Sequence, residues 1–145
     1  MMPKAIWRPA TEAEATSNMA ALIEYTRATS GLSLTPAEIL GFQGENPARL
    51  RALVADFAGL NPDAPPSAAL APHAARLQNP DGSSASIAAM LKTAGWDGLL
   101  DSLAHHLLVA ELRPDDRLDW PGAIDDPWPL GALLAGATVR LTAPR

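Results

Sequence analysis

Two acidic pairs near the C-terminal end, Asp115-Asp116 and Asp125-Asp126, are the residues best suited to chemistry. Neighbouring carboxylates can share general acid and base work or hold a divalent cation. Each pair also stands at a strand end or before a proline, where Asp forms Asx-turns, and turn chemistry is the plainer account of them. Asp125 and Asp126 lie between Trp120 and Trp128, and carboxylates flanked by aromatic rings make this segment the first choice for a ligand pocket. His105 and His106 form the other chemical pair. Adjacent helical residues diverge by about 100°, so the two imidazoles are not placed to share a metal ion, and His73 is the third and last His. No metal site is expected. The absence of Cys excludes a thiolate nucleophile, thiolate ligands and disulfides.

These residues need elements to hold them. The pattern from Arg117 to Leu141 gives a short strand ending at Trp120, a turn-rich loop, one or two helical turns and a second strand, a β-loop-α-β unit. Upstream, Asp97 caps a helix whose apolar face is Leu100, Leu103, Leu107 and Ala110, with Leu99 and His106 beside it, and Arg113-Pro-Asp-Asp116 ends it. Residues 84–95 read as a helix with Ile87, Met90, Leu91 and Ala94 on one side, or begin as a strand. Near the start, Thr11 and Glu14 have capping-box spacing, and Ala15, Met19, Leu22, Ile23 and Thr26 form one stripe that Gly31 stops. Thr35-Pro-Ala-Glu38 opens a second helix. Asn46-Pro47 opens a third, with Leu50, Leu53, Val54 and Phe57 inward and Gly59 closing it. The expected fold class is therefore α/β, helix-dominated, with a three-helix N-terminal portion and a small two- or three-stranded sheet near the C-terminus. Residues 1–60 are the helical portion, 61–84 a Pro-rich linker or wrapping loop, and 85–145 the small β/α portion, together one domain.

The chain has 145 residues, 48% of them hydrophobic and 19% charged, which suffices for a buried core without staples. No apolar run is long enough for a membrane helix. The formal charge of −5 disfavours nucleic acid, whose phosphates attract clustered Lys and Arg. The opening Met-Met-Pro-Lys-Ala-Ile-Trp-Arg turns polar too early for a secretory signal, so a cytoplasmic location is expected.

Two regions carry a family resemblance. Leu112-Arg-Pro-Asp-Asp-Arg-Leu-Asp-Trp120, followed by Leu133-Leu-Ala-Gly-Ala-Thr-Val-Arg-Leu141, resembles a core stretch of the adenylate-forming synthetases, closest to acetoacetyl-CoA and acetyl-CoA synthetases. Ile6-Trp-Arg-Pro9, Asn18-Met19 and the helices from Gly31 to Phe57 resemble the cap that precedes their catalytic core. The resemblance implies a phosphate-binding loop shortly before Asp115-Asp116, and the segment at that distance is Asp81-Gly82-Ser83-Ser84-Ala85-Ser86. It has one Gly and no nearby Lys, and the Asp81 carboxylate would repel phosphate. The family's adenine-contacting motif, ribose-binding Asp and C-terminal domain with its catalytic Lys have no counterpart here. The expectation is a non-catalytic, truncated relative acting as a structural or interaction module, in a homo-oligomer or beside a full-length synthetase, with no cofactor and no catalytic residue. The alternative is a residual binder of ATP, AMP or CoA that uses Gly82, Ser83, Ser84, Trp120, Asp125, Asp126 and Trp128.

Overall fold

A computed structural model describes residues 18–91, 95–113, 116–121 and 128–142. Trp7, the Thr11 to Glu14 capping box, Ala15, Ala94, Asp115, Asp125 and Asp126 lie outside them, and the side chain of Met90 is not described.

Three helices open the described chain, as expected. Helix α1 (Asn18–Ser30) buries Met19, Leu22 and Thr26, and the amide of Gly31, in the left-handed region at φ 75°, donates to the Arg27 carbonyl. Helix α2 (Pro36–Glu45) begins with the complete capping box: Thr35 Oγ1 accepts from the Glu38 amide at 3.1 Å while the Glu38 carboxylate accepts from the Thr35 amide at 3.1 Å. Asn46 ends α2 and its side chain caps α3 (Pro47–Phe57), which turns Leu50, Val54, Ala55 and Phe57 inward. Tyr25 of α1 packs edge-on against Phe57 at 5.5 Å and donates its hydroxyl to Asp56, which fixes α1 on α3.

The Pro-rich segment is not a bare connection. It forms α4 (Pro66–Leu70), a 3-10 stretch (Ala71–Arg76) and strand β1 (Leu77–Gln78), and both Leu70 and Leu77 are fully buried. Its prolines read as breakers, yet Pro66 and Pro72 occupy first-turn positions, where a missing amide leaves no hydrogen bond unmade. Trp96 ties the segment down by donating Nε1 to the Ala64 carbonyl at 2.7 Å. Residues 84–95 contain α5 (Ile87–Leu91), the helical alternative, preceded by an isolated antiparallel bridge from Ser84 to Gln78.

Helix α6 (Trp96–Ala104) buries Leu99, Leu100 and Leu103. Its N-cap is Gly95, without a side-chain bond, so Asp97 lies in the first turn instead of capping; a carboxylate there still meets the positive end of the helix. The helix widens into a π-turn (His105–Val109), in which the Ala110 amide reaches back five residues to the His105 carbonyl. That extra residue rotates the face. Leu107 and Leu108 are buried while Ala110, expected on the apolar stripe, is exposed.

Strand β2 (Arg117–Trp120), helix α7 (Leu130–Leu134) and strand β3 (Thr138–Leu141) supply the β-loop-α-β unit. Among the described residues the sheet has three strands, all parallel, in the order β1-β3-β2. The fold is thus helix-rich α/β with a small parallel sheet near the C-terminus. Across it, Leu77, Val139 and Leu118 align toward the core, and Gln78, Arg140 and Asp119 align on the other face. One buried cluster runs from Met19 and Leu22 to Val139 and Leu141, so residues from all three expected portions share a core.

Helix α7 approaches α6 unusually closely. A Cβ on Gly131 would stand 2.2 Å from Ser102 Oγ and 2.4 Å from the Ser102 carbonyl carbon, inside any allowed contact. Gly131→Ala is therefore expected to destabilise by about 3 kcal/mol or more, since backbone must separate to admit the methyl. Leu77→Ala, in the segment read as a linker, should cost about 2–5 kcal/mol as a core truncation, against under about 0.5 kcal/mol for the exposed Leu32→Ala. Denaturant unfolding of the three variants measures all of this.

Candidate functional site

The polar side chains gather where α2, α3 and α6 meet the turn before α7. Arg51, on α3, forks onto Asp101 of α6, with Nε to Oδ1 at 2.8 Å and Nη2 to Oδ2 at 3.1 Å, and its Nη1 lies 3.6 Å from Asp97 Oδ2. Asp97 and Asp101 are one helical turn apart, which is why a single guanidinium reaches both. Gln43, Leu50, His105 and Trp128 complete the walls of a cleft of about 330 Å³.

Trp128 forms one wall of the cleft. Its ring lies 5.4 Å from His105 and 5.7 Å from His106, both tilted, and its carbonyl accepts the hydroxyl of Ser102. Ser102 is fully buried. The Nδ1 of His106 lies 2.8 Å from the Ser102 carbonyl oxygen, which can only accept, so this nitrogen carries the proton. Burial pushes the His106 pKa below the ordinary value of 6.5, the proximity of His105 adds to that, and the bond to the Ser102 backbone opposes both. Ser102 therefore ties the turn before α7 to α6, and the His106 ring packs on Trp128 beside that bond. A hydroxyl donated to a backbone carbonyl, shielded from solvent, is not placed as a nucleophile. The histidine rings stand at 88° with centroids 5.4 Å apart, and the described residues include no group of three metal-binding side chains.

The candidate residues from the sequence occupy separate places. Trp128 lines the cleft. Trp120 ends β2, half-buried, with its indole Nε1 enclosed and unpaired among the described residues. Gly82, Ser83 and Ser84 form the turn after β1, where Gly82 takes φ 90° and a Cβ on it would stand 3.8 Å from Arg140 Nη2. This turn is closed on itself: the Ser83 amide and hydroxyl both donate to Asp81 Oδ1, the Gly82 amide to the Asn79 carbonyl, and the Asn79 amide to the Ser83 carbonyl. The Ser83 bonds hold the Asp81 carboxyl below its usual range, so it is charged at neutral pH. A phosphate-binding loop instead aims its amides at the ligand.

Sequence reading missed Arg51, Asp101 and Arg140. The ion pair joins residues fifty positions apart, for which no local pattern exists. Arg140 was legible in part: alternation along β3 puts it on the face opposite Val139 and Leu141, although not beside Gly82. There it donates Nη2 to Gln78 Oε1 at 3.2 Å, and its Nε is buried without a partner among the described residues.

Fold and site together define a helix-rich α/β protein whose potentially reactive side chains are engaged mainly in holding helices together. Comparison with protein-family models, with curated proteins and with solved structures finds no match for this chain. Among the described residues no helix is long and apolar enough to cross a membrane.

The depressed His106 sets a pH dependence. A histidine whose folded pKa lies below its unfolded value binds its proton more readily when unfolded, so stability is full above about pH 6.5 and falls as pH drops toward the folded value. His73, depressed by burial and by the Arg76 charge, acts in the same direction. Denaturant titrations between about pH 5 and pH 8 should show this decline, and His106→Gln should flatten it while lowering stability at neutral pH.

Proposed function

We propose that the chain is a non-catalytic protein-interaction module, a cytoplasmic relative of the adenylate-forming synthetases that no longer activates a carboxylate. The observation that carries the reading is the open side of β2: this strand pairs only with β3, and no described strand covers its other edge. An open edge presents a row of unpaired backbone donors and acceptors to any extended partner. Two further features support the reading. The parallel β2-α7-β3 unit is the part that resembles the synthetases, and the turn in the place of their phosphate loop spends its serine donors on its own Asp81.

One observation favours a second reading, a residual anion or nucleotide binder. Arg140 brings to Gly82 the positive charge that the local sequence does not supply. Asp81 opposes it from the same turn.

The experiment that separates them is thermal and denaturant stability with ATP, AMP and CoA, run beside pyrophosphate exchange into ATP with a panel of organic acids. A module gives no exchange and no ligand-dependent change. A binder at a hundredfold excess over its dissociation constant gains about 2.7 kcal/mol of stability, a gain that Arg140→Ala should remove. Exchange above the protein-free rate would end the module reading.

A further inference from the structure

We infer that the partner at the β2 edge is a second copy of this chain, paired antiparallel in a register centred on Leu118. The inference deepens the interaction-module reading and rests on it. The period-two alternation of backbone groups and of side chains along β2 leads to it.

The first is the direction of the backbone. The Thr138 amide donates to the Asp116 carbonyl at 2.8 Å and the Thr142 amide to the Trp120 carbonyl at 3.0 Å, with Arg117 beside Thr138 and Asp119 beside Arg140 in the ladder. In a parallel pair only every second residue turns its amide and carbonyl toward a given neighbour. Residues 116, 118 and 120 therefore face β3, and the amides and carbonyls of Arg117 and Asp119 face the open side.

The second is the direction of the side chains. Leu118 and Trp120 share the core face and are half-buried, whereas Arg117 and Asp119 project from the opposite face and are exposed. Two identical strands related by a twofold axis pair antiparallel, and opposite residues must share a face, so the axis passes through a residue. Four positions are available within the strand. An axis at Arg117 sets Arg against Arg, and one at Asp119 sets Asp against Asp, both repulsive. An axis at Trp120 sets Asp119 against Pro121, which has no amide to give. An axis at Leu118 sets Arg117 of each copy against Asp119 of the other, twice, and Leu118 against Leu118 on the core face. Arg117 and Asp119 are also the residues with outward backbone groups, so each pair exchanges two amide-carbonyl bonds, four in all. Charge thus selects this register, and the outward backbone groups of Arg117 and Asp119 are able to bond in it. The product is one continuous sheet of six strands, two parallel halves joined antiparallel at the axis.

A contact built on four-residue strands is small, so association is expected in the micromolar range or weaker. Sedimentation velocity from micromolar to near-millimolar protein tests it. The wild type should shift from monomer to dimer. Arg117→Asp alone, or Asp119→Arg alone, sets like charges opposite twice over and should weaken the dimer by about tenfold or more, and the double exchange should restore it to within about threefold. Asp119→Pro, which removes an outward amide and leaves the bonds to β3, should abolish it. Unfolding midpoints establish that the variants fold, as expected for exposed side chains. A wild type that stays monomeric, a dimer indifferent to either single exchange, or a double exchange that fails to restore association overturns the inference. A monomeric wild type leaves the interaction-module reading standing; pyrophosphate exchange by an intact dimer overturns that reading and leaves this one.

Discussion

The contact between Gly131 and Ser102 governs the second half of the fold. Helix α7 has five residues, too few to be stable alone, and it holds its place because its backbone lies directly against α6. That approach does three things at once. It brings the Trp128 carbonyl within reach of the Ser102 hydroxyl, seats the Trp128 ring on His105 and His106, and fixes the entry to β3, the central strand of the sheet. Any larger residue at position 131 would separate the helices, and the cleft and the sheet would both move. The single missing Cβ is thus a geometric condition for the site, and the buried serine and histidine are best understood as fastenings around it.

A comparable fastening acts at the other end of α6. Asn18 is fully buried and donates its side-chain amide to the carbonyls of Leu107 and Leu112, at 2.9 and 2.7 Å, just where the π-turn leaves carbonyls without helical partners. In return Glu111 accepts from the Asn18 amide at 2.9 Å, placing a carboxylate at the start of α1. Glu111 adopts φ 54°, a strained region for a side chain of its size, and three bonds donated by Asn18, to its carboxylate and to the Leu107 and Leu112 carbonyls on either side, hold that conformation. The N-terminal helices and the β/α portion are therefore joined by hydrogen bonds to backbone as well as by their shared apolar core.

What could be read from the sequence follows from the range over which each signal acts. Capping chemistry is local, and Thr35 with Glu38, Asn46 with Pro47, and Gly31 and Gly59 marked their helix ends correctly. The alternation in Thr138-Val-Arg-Leu141 and the turn residues before Arg117 marked the strands for the same reason. The π-turn was not legible, because nothing in His105-His-Leu-Leu-Val109 favours a five-residue bond over a four-residue one; Asn18, eighty-nine residues from Leu107, receives the displaced carbonyl. The segment 61–84 misled because proline punctuates chains and also starts helices, and only burial of Leu70 and Leu77 decides between the two. At the candidate site, Trp128, singled out because it stands beside Asp125-Asp126, lines the cleft, whereas Arg51 and Asp101 meet only because α3 packs on α6.

The two faces of the sheet differ from those of a sheet covered by helices on both sides. Strands inside a doubly covered parallel sheet read as continuous apolar runs, since both of their faces are buried. Here β3, although central, alternates: Val139 and Leu141 are buried, while Thr138 and Arg140 on the other face are half-buried and polar. Gln78 and Asp119 extend that polar row across the neighbouring strands. A strand covered on both faces would show an apolar outer row, and β3 does not. The chemistry of the outer row suits a sheet with one wetted face. What the sheet still lacks, among the described residues, is a strand beyond β2, and that edge is short and carries Arg117 and Asp119, charged side chains of the kind that restrict what an edge can pair with. The backbone alone therefore does not decide whether this edge pairs; the charges on Arg117 and Asp119 do.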